Sequence, residues 1–349
     1  MHRSDFCLAG MFRDLFLFRN SPLLRSLVLL IACTMLLFEA ARLLGLLSFS
    51  LPSSLFGLPS LTNLLGGLLF GIGMVLAGGC VIGTLYKVGA GNFPSACAFL
   101  GLIIGSTLYA EFHPQWKQLE TQTRFTDAAT LPQLIGLSQS SACFVVLAIF
   151  GGFLFRWHQN GLLRRPSVVK GYLQPQTAAL LLAVIGLVSF SLTGMPLGIT
   201  TSYVKVGAFF EQLIIPEHFA NLSYFQGQEF QYLSPLSGQT LNAGAGPFWD
   251  GLSLVQFPLI GGIFVGSALS AISMGKFLLR FNIPKVQLIS ALFGGVLMGF
   301  AARMAPACNV WHLLGGLPLL SLQSILFTIG LLPGALIGSH LLTRYVLTP

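Results

Sequence analysis

The sequence predicts an all-α, polytopic membrane protein with about 8–9 transmembrane helices, inverted repeats and cysteine-bearing re-entrant turns. Of its 349 residues, 54% are hydrophobic and only 8% are charged, whereas a soluble domain carries about 25% charged residues. Apolar runs of about 18 or more residues, long enough to cross a hydrocarbon core of about 30 Å, recur between residues 26 and 343. A water-soluble fold is excluded because it could not bury this much apolar surface. We expect a single membrane domain over residues 1–349.

The apolar runs locate the individual spans. They predict helices at 26–47, 62–79, 95–112, 133–155, 176–195, 252–274, 287–305 and 322–343. A re-entrant or short extra helix could lie at 197–215. The 40 glycines and 18 prolines are too many for uninterrupted helices. Broken helices that line a buried cavity would use them, because irregular backbone in a membrane must face protein or water.

Charges in the connections predict how the spans are threaded through the bilayer. Arginines and lysines cluster in the connections 156–170 and 276–285, which are therefore expected to be cytoplasmic. The connections 48–61, 113–132 and 196–251 have no excess of positive charge and are expected to be external. This threading places both termini in the cytoplasm. The net charge of +8 is spread over short connections, so the lipid bilayer, and not nucleic acid, is the expected partner.

Two cysteine-centred segments match when Cys80 is aligned with Cys308. Residues 66–71 then correspond to residues 294–299, with glycines at the same distance from the cysteine. The helices that follow share a second pair of glycines, after a slip of one residue: Gly101 and Gly105 in one copy, Gly330 and Gly334 in the other. Each copy is thus a glycine-patterned helix, a cysteine turn and a second helix. The repeat halves are placed at about 1–170 and 171–349.

The two copies are predicted to be inverted relative to each other. The threading above puts the turn at Cys80 on the cytoplasmic side and the turn at Cys308 on the external side. Inverted repeats with interrupted helices are a recurring plan of transporters, because exchanging the conformations of the two halves converts an inward-open state into an outward-open one.

A third fragment carries the same cysteine pattern. Cys7-Leu-Ala-Gly-Met-Phe resembles Cys80-Val-Ile-Gly-Thr-Leu, but only six residues precede Cys7. The helix that should lead into Cys7 is therefore missing from this sequence. Either the natural protein starts further upstream or this copy is truncated.

Four short motifs give the chain a resemblance to a known family. They are Phe6-Cys7-Leu-Ala-Gly-Met-Phe-Arg-Asp-Leu-Phe, Ala77-Gly-Gly-Cys-Val-Ile-Gly83, Pro196-Leu-Gly-Ile-Thr200 and Ala307-Cys-Asn309. With these motifs the chain resembles the YeeE/YedE family of bacterial inner-membrane proteins along nearly its whole length. It departs from the family before the last cysteine, where Pro306-Ala307 stands in place of the usual Gly-Gly.

The resemblance implies a function and a site. It implies uptake of thiosulfate, or of a related sulfur or selenium compound, by a multi-pass protein of the bacterial inner membrane. Cys7, Cys80 and Cys308 are the residues that would contact the anion in turn. Some relatives carry a fused sulfur-carrier domain that this sequence lacks. A separate cytoplasmic sulfur-carrier protein is therefore a partner that the resemblance allows.

Thiol chemistry favours such a path without reference to the family. A thiol is a weak donor and a soft acceptor, so it can contact a soft sulfur anion without holding it too tightly for release. Gly78, Gly79 and Gly83 allow close approach of the backbone and expose amides. Helices that begin after each cysteine turn would add positive partial charge for an anion.

Three further residues are candidates for substrate binding. Asn309 follows Cys308 in the last family motif. Lys87 lies seven residues after Cys80, on the same face of a continuous helix, and could attract anions; a plain cytoplasmic lysine is the alternative. Arg303 lies within a predicted span, where an arginine is a functional candidate by default, although snorkelling to the interface would also explain it.

The remaining cysteines have a simpler interpretation. Cys33, Cys97 and Cys143 lack neighbouring glycines and are expected to be small hydrophobic core residues. His312 could form a hydrogen bond near Cys308, but the other ligands of a metal site are missing. We therefore expect neither a metal ion nor a cofactor.

Two other classes of protein remain as alternatives. A membrane thiol oxidoreductase would also need cysteines at membrane depth, but it normally uses a closely spaced redox pair, and the sequence has no Cys-x-x-Cys. A scaffold subunit would not need cysteines at matched positions in inverted repeats. The sequence thus favours a transporter over an enzyme.

Overall fold

The fold is almost entirely helical. A computed structural model describes residues 1–4, 6–19, 21–47, 56–163, 171–235 and 238–347. Among these residues, eight helices are long and apolar enough to cross a membrane. They are Pro22–Leu43, Leu61–Gly89, Phe93–Gln122, Gln139–Gln159, Pro175–Thr193, Gly251–Ser273, Lys285–Met304 and Leu322–Leu347. The predicted all-α, polytopic membrane fold is confirmed.

The N-terminal part of the chain contains the helices around the first two motif cysteines. After a 3-10 turn at His2–Ser4, these are α1 (Leu8–Phe18), α2 (Pro22–Leu43), α3 (Leu61–Leu76), α4 (Val81–Gly89) and α5 (Phe93–Gln122). Asn92 caps α5, since its side chain accepts a hydrogen bond from the amide of Ser95 at 3.0 Å. The break between α3 and α4 is the re-entrant turn that carries Cys80.

The central part consists of lipid-facing spans and the connection 196–251, which is predicted to be external. The helices are α6 (Leu131–Ile135), α7 (Gln139–Gln159), α8 (Pro175–Thr193), α9 (Thr200–Ile214), α10 (Pro216–Asn221), α11 (Ser223–Gln226) and α12 (Gly251–Ser273). An antiparallel hairpin of β1 (Gln228–Leu233) and β2 (Thr240–Gly244) precedes α12. The short extra helix expected near 197–215 is α9. The hairpin was not predicted.

The last part contains the helices around the third motif cysteine. It contains α13 (Lys285–Met304), α14 (Asn309–Trp311), which continues as a π-helical turn (His312–Gly316), then α15 (Leu322–Leu342) and a final π-helical turn (Thr343–Leu347). Cys308 lies in the break between α13 and α14. The predicted boundary of the repeat halves, near residue 170, falls outside the described residues, and the two halves stay a prediction.

Glycines let four helices pack with their backbones in contact. A Cβ added to Gly67 of α3 would overlap the carbonyl oxygen of Phe327, and one added to Gly334 of α15 would overlap that of Leu68. The pair α5 and α13 has the same arrangement: a Cβ at Gly105 or at Gly299 would overlap a carbonyl of the facing helix. In both pairs, the helix that precedes one cysteine packs against the helix that follows the other cysteine.

Other helices turn apolar faces outward. Phe144 and Val145 of α7, Leu181 and Ile185 of α8, and Leu269 of α12 are each about half exposed or more. In a soluble protein such faces would be covered by partner surfaces, but in a bilayer they contact lipid tails. The glycine-rich helices α5, α13 and α15 also carry exposed apolar side chains, so they belong to the lipid-facing surface, and only their glycine-lined sides and the cysteine turns lie in the core.

A buried ion pair fixes the end of the external segment. Lys205 of α9 donates to Asp250 Oδ2 at 2.8 Å, and both side chains are almost fully buried. Asp250 also caps α12, since its Oδ1 accepts from the amide of Ser253 at 2.9 Å. Breaking a buried pair leaves one charge uncompensated, so this pair holds α9 against the start of α12.

Candidate functional site

Cys80 lies at the N-cap of α4, where its thiol replaces the usual hydroxyl or carboxylate cap. Its backbone is extended, with φ of −77°, and its Sγ accepts a hydrogen bond from the amide of Gly83 at 3.3 Å. Gly78, two residues earlier, has φ of +67°, a conformation that favours glycine. The glycine motif therefore ends α3, turns the chain and presents a fully buried thiol at the start of α4.

Cys7 lies against Cys80. The two thiols interact with each other. A Cβ added to Gly83 would lie 3.0 Å from Cys7 Sγ and 3.2 Å from Cys80 Sγ. A side chain at position 83 would therefore crowd both sulfur atoms, which would have to shift by a few tenths of an ångström. The sequence could not show this pair, because the two cysteines are far apart along the chain.

Cys308 approaches the same region from the opposite copy. It is fully buried and lies at the N-cap of α14, which packs against α4. Its thiol is close enough to that of Cys80 to interact electrostatically. The residue before it, Ala307, has φ of +133°. The two cysteine turns thus meet in the protein core, although the helix after Cys308 is short and continues as a π-helical turn.

Lys87 closes the first turn. Its Nζ donates to the carbonyl oxygen of Gly78 at 2.6 Å, and its charge interacts with Cys7. Gly79 faces Thr84: a Cβ at position 79 would lie 3.2 Å from Thr84 Oγ1. Lys87 therefore stabilises the first cysteine turn through its bond to Gly78. It also places a positive charge near the Cys7 thiol, as expected of a residue that attracts anions.

Asn309 is the polar side chain next to Cys308. It is fully buried, and neither its Oδ1 nor its Nδ2 has a hydrogen-bond partner among the described residues. Leaving such a group unsatisfied costs about 1–3 kcal/mol, so native proteins seldom do so without a functional reason. The arrangement suits an amide that exchanges hydrogen bonds with a passing ligand.

Arg303 does not snorkel to the interface. Its side chain is 94% buried, as the 6% exposed fraction shows, and its guanidinium donates to Thr200 Oγ1 at 2.7 Å and to Thr201 Oγ1 at 3.2 Å. Its charge also interacts with Cys308. The guanidinium therefore connects the first turn of α9 with the second cysteine turn.

The Pro196-Leu-Gly-Ile-Thr200 motif is explained by packing against the second cysteine turn. A Cβ at Gly198 would lie 2.9 Å from the ring of Trp311, and Gly315 faces the ring of Pro196. The motif leads directly into Thr200, which accepts from Arg303. On sequence grounds this motif carries the family resemblance but predicts no binding role. The polar first turn of α9, which follows the motif within an otherwise apolar run, is the feature of the sequence that could have indicated a binding role.

The three cysteines expected to be structural lie outside the cysteine turns, in α2, α5 and α7. Cys33 and Cys97 are half-buried, and Cys143 is buried beside Gln139, whose Nε2 lies 3.6 Å from its sulfur. His312 is fully buried, bonds to Ser324 Oγ at 2.9 Å and stacks on a phenylalanine ring. His312 nevertheless belongs to the second cysteine turn, because its amide donates to the Cys308 carbonyl at 3.1 Å and its Nε2 has no hydrogen-bond partner among the described residues.

In the part of the chain that the structure describes, eight helices are long and apolar enough to cross a membrane, and two cysteine turns meet between them. This arrangement is typical of a multi-pass membrane transporter. The chain belongs to the family described as sulphur transport, which matches residues 3–337. The resemblance to YeeE/YedE proteins is confirmed by this match and by the curated relatives.

Two relatives are similar along most of their length. The thiosulfate transporter TsuA of Spirochaeta thermophila is 29% identical over 345 residues, which cover 94% of this chain and 91% of that protein. The thiosulfate transporter TsuA of Escherichia coli K12 is 27% identical over 331 residues, which cover 89% and 81%. The probable transporter YedE of Salmonella typhimurium is 30% identical over 112 residues, 32% of this chain and 26% of that protein.

Proposed function

We propose that this protein takes up thiosulfate, or a closely related sulfur anion, across the bacterial inner membrane along a path lined by Cys7, Cys80 and Cys308. The observation that carries the proposal is the meeting of the two cysteine turns in the core, beside the Asn309 amide, which has no hydrogen-bond partner in the described part of the chain. The names of the two TsuA relatives support thiosulfate as the substrate.

The surroundings of the thiols suit a small dianion. Moving such an ion out of water is costly unless opposite charges and donors replace its hydration. Arg303 and Lys87 supply positive charge near Cys308 and Cys7. The first turn of α4 supplies amides with positive partial charge. The thiols themselves are weak partners, so the anion is bound loosely enough to move on.

The contact between Cys7 and Cys80 would also be compatible with the alternative class, a membrane thiol oxidoreductase. Proximity alone does not make a redox pair, because a disulfide needs an oxidant and a cycle of reduction. We propose that both thiols stay reduced throughout transport. Maleimide labelling of purified protein, before and after turnover with thiosulfate, should find the same number of free cysteines. Loss of two reactive thiols on turnover would favour the oxidoreductase.

The same proposal includes two more specific points: a selenium compound as an alternative substrate, and a sulfur-carrier protein as a partner. A selenium analogue has the same charge and a similarly soft end, so it should compete with thiosulfate at this site. A cytoplasmic sulfur-carrier protein would receive the sulfur after release from the path. Uptake in vesicles without cytosol would show that transport proceeds in its absence.

The central experiment is uptake of labelled thiosulfate by cells that lack their own sulfate and thiosulfate transporters. Cys80→Ala and Cys308→Ala should abolish uptake, whereas Cys97→Ala and Cys143→Ala, the matched controls, should retain it. Rates are normalised to the amount of protein in the membrane. Equal loss in all four variants would indicate packing defects and would contradict the cysteine path.

Serine variants test the chemistry of the thiols. Serine has nearly the shape of cysteine, but its hydroxyl is a harder and more strongly hydrated group. Cys80→Ser and Cys308→Ser should therefore impair uptake almost as much as alanine does, and sulfate should compete better than in the wild type. Full activity with unchanged selectivity in both variants would refute the role of the thiols, even if the protein transports thiosulfate.

A further inference from the structure

Tyr203 is a fully buried tyrosine next to the candidate site. It lies on the first turn of α9 and is 1% exposed, among the largest fully buried side chains. Its hydroxyl oxygen has no hydrogen-bond partner among the described residues. Because a phenylalanine would fill nearly the same volume without an unsatisfied polar group, the hydroxyl is costly unless a ligand uses it.

Tyr203 lies in the same buried core cluster as Cys80 and Cys308. The phenol interacts electrostatically with the thiols of both Cys308 and Cys80. Its ring is held edge-on by Phe99, with ring centres 5.2 Å apart. The preceding threonines of the same helical turn accept hydrogen bonds from Arg303. Tyr203 is therefore fixed on a third element, α9, that faces both cysteine turns but belongs to neither.

Other polar atoms around the two turns are unsatisfied in the same way. Thr84 Oγ1, four residues after Cys80, and both amide atoms of Asn309, next to Cys308, have no partner among the described residues. An orphaned polar atom can occur singly by chance, but three side chains around the same pair of thiols form a group. Such a group indicates a site that hydrogen-bonds a polar ligand.

We propose that the Tyr203 hydroxyl donates a hydrogen bond to an oxygen of the transported anion while the anion lies between Cys80 and Cys308. The inference rests on the proposed function and deepens it. Thiosulfate has a soft terminal sulfur and hard sulfonate oxygens. The thiols suit the sulfur end, and a phenol, a harder and stronger donor, suits an oxygen. Tyr203 would then orient the anion so that its sulfur faces the cysteines.

The test is Tyr203→Phe, which removes one oxygen atom. The KM for thiosulfate should rise roughly ten-fold or more, the factor that a hydrogen bond to a charged group typically contributes to affinity. The midpoint of thermal unfolding without substrate should stay the same or rise, because the folded protein loses an unsatisfied hydroxyl. The preference for thiosulfate over sulfate should remain, since the thiols still contact the terminal sulfur of thiosulfate.

Tyr109→Phe is the matched control. Tyr109 is also a buried tyrosine, but it packs against Tyr224 and Phe300 in a separate external cluster. The KM of the Tyr109→Phe variant for thiosulfate should equal that of the wild type. An unchanged KM in Tyr203→Phe, or a lowered unfolding midpoint, would overturn the inference and leave thiosulfate transport intact. Absence of thiosulfate uptake in the wild type would instead refute the proposed function itself.

Discussion

Ala307 holds a backbone conformation that alanine rarely adopts. Its φ is +133°, and its amide donates to the carbonyl of Ala302 at 3.0 Å, which closes the end of α13. A residue without a Cβ reaches this region freely, whereas alanine is strained there. Such strain costs about 1–3 kcal/mol. It is borne by the residue that directly precedes Cys308, where the family usually has glycine.

Relief of this strain is a testable expectation. Ala307→Gly should stabilise the protein by about 1 kcal/mol, since the lost strain exceeds the added flexibility of the unfolded chain. Thermal unfolding in detergent measures the change. Ala305→Gly is the control: Ala305 has an ordinary φ of −106°, so its replacement should only destabilise. A less stable Ala307→Gly variant would show that the backbone at this turn is not strained.

At the residue scale, the sequence singled out the candidate cysteines but not the contacts between them. The glycine spacing identified Cys80 and Cys308, and the structure places their turns in contact. It could not reveal the contact between Cys7 and Cys80, because linear spacing carries no information about distant pairs. Tyr203 was missed for a related reason. A tyrosine in an apolar run looks like any core aromatic until the surroundings of its hydroxyl are known.

Helix packing at the element scale depends on glycine carbonyl contacts. A Cβ at Gly105 of α5 would overlap the backbone carbonyl of Val296 in α13. No side chain can move aside to relieve this overlap, so the two helices must separate. Overpacking of this kind costs about 1–3 kcal/mol when side chains can adjust, and more is expected when the obstacle is backbone.

Gly105→Ala should therefore lower the unfolding midpoint strongly and reduce the yield of folded protein. Gly152→Ala is the matched control, since Gly152 lies in the helix α7 with open space around it. Alanine is a better helix former than glycine by about 1 kcal/mol, so the control should be neutral or stabilising. Thermal unfolding of both purified variants decides the question. Equal stability of the two would contradict close packing of α5 against α13.

The contact between α10 and α5 should depend on pH. His218 Nε2 lies 2.6 Å from Glu111 Oε1, and this hydrogen bond, with the charge of Glu111, raises the pKa of His218 above its ordinary value. A raised pKa means that the folded state favours the charged histidine. The stabilisation is therefore fully present below the ordinary pKa and is lost as the pH rises through the raised value.

The wild type should unfold at a higher temperature than His218→Gln at about pH 6, and the difference should vanish at about pH 9. Thermal unfolding at a series of pH values gives both curves. In a Glu111→Gln background the same histidine substitution should show a much weaker pH dependence, because the carboxylate that raises the pKa is gone. A difference that grows towards high pH would exclude this ion pair as the cause.

Element prediction succeeded where hydrophobicity alone determines the structure. Each of the eight predicted spans overlaps a span of the structure, since an apolar run of that length has no other stable arrangement in a bilayer. The β-hairpin of β1 and β2 was missed because its strands are short and polar. The pairing is supported by the external segment around it, including the bond from the Gly244 amide to Asp250 at 3.1 Å.

At the scale of the whole molecule, the four glycine-rich helices interlock the predicted halves. The helix before Cys80 packs on the helix after Cys308, and the helix before Cys308 packs on the helix after Cys80. This is the reciprocal contact that an inverted repeat would produce. Two halves joined in this way cannot rock apart as rigid bodies, so we expect alternating access to come from movement of the cysteine turns.

Contacts between connections divide them into two groups, one at each end of the molecule. At one end, the Leu173 amide donates to the Arg3 carbonyl, and Lys276 lies over the ring of Tyr172, 4.3 Å from its centre. At the other end, the Phe125 amide donates to the Pro59 carbonyl at 3.0 Å. The first group contains the connections with excess positive charge, which are predicted to be cytoplasmic. The second contains connections predicted to be external.

Reporter fusions test this orientation. A cytoplasm-specific reporter fused after Lys170, a position outside the described residues, should be active, whereas the same reporter inserted near Gln228 should be silent. An exterior-specific reporter should give the opposite pattern. The physical reason is the excess of arginine and lysine in the connection 156–170, which resists translocation. An insertion at Thr126 serves as a second external control, since it lies next to Phe125. If the reporters at 170 and 228 are active on the same side, the chain crosses the membrane an even number of times between them. The turns at Cys80 and Cys308 would then lose their predicted opposite orientation, and the inverted repeat would have to be abandoned.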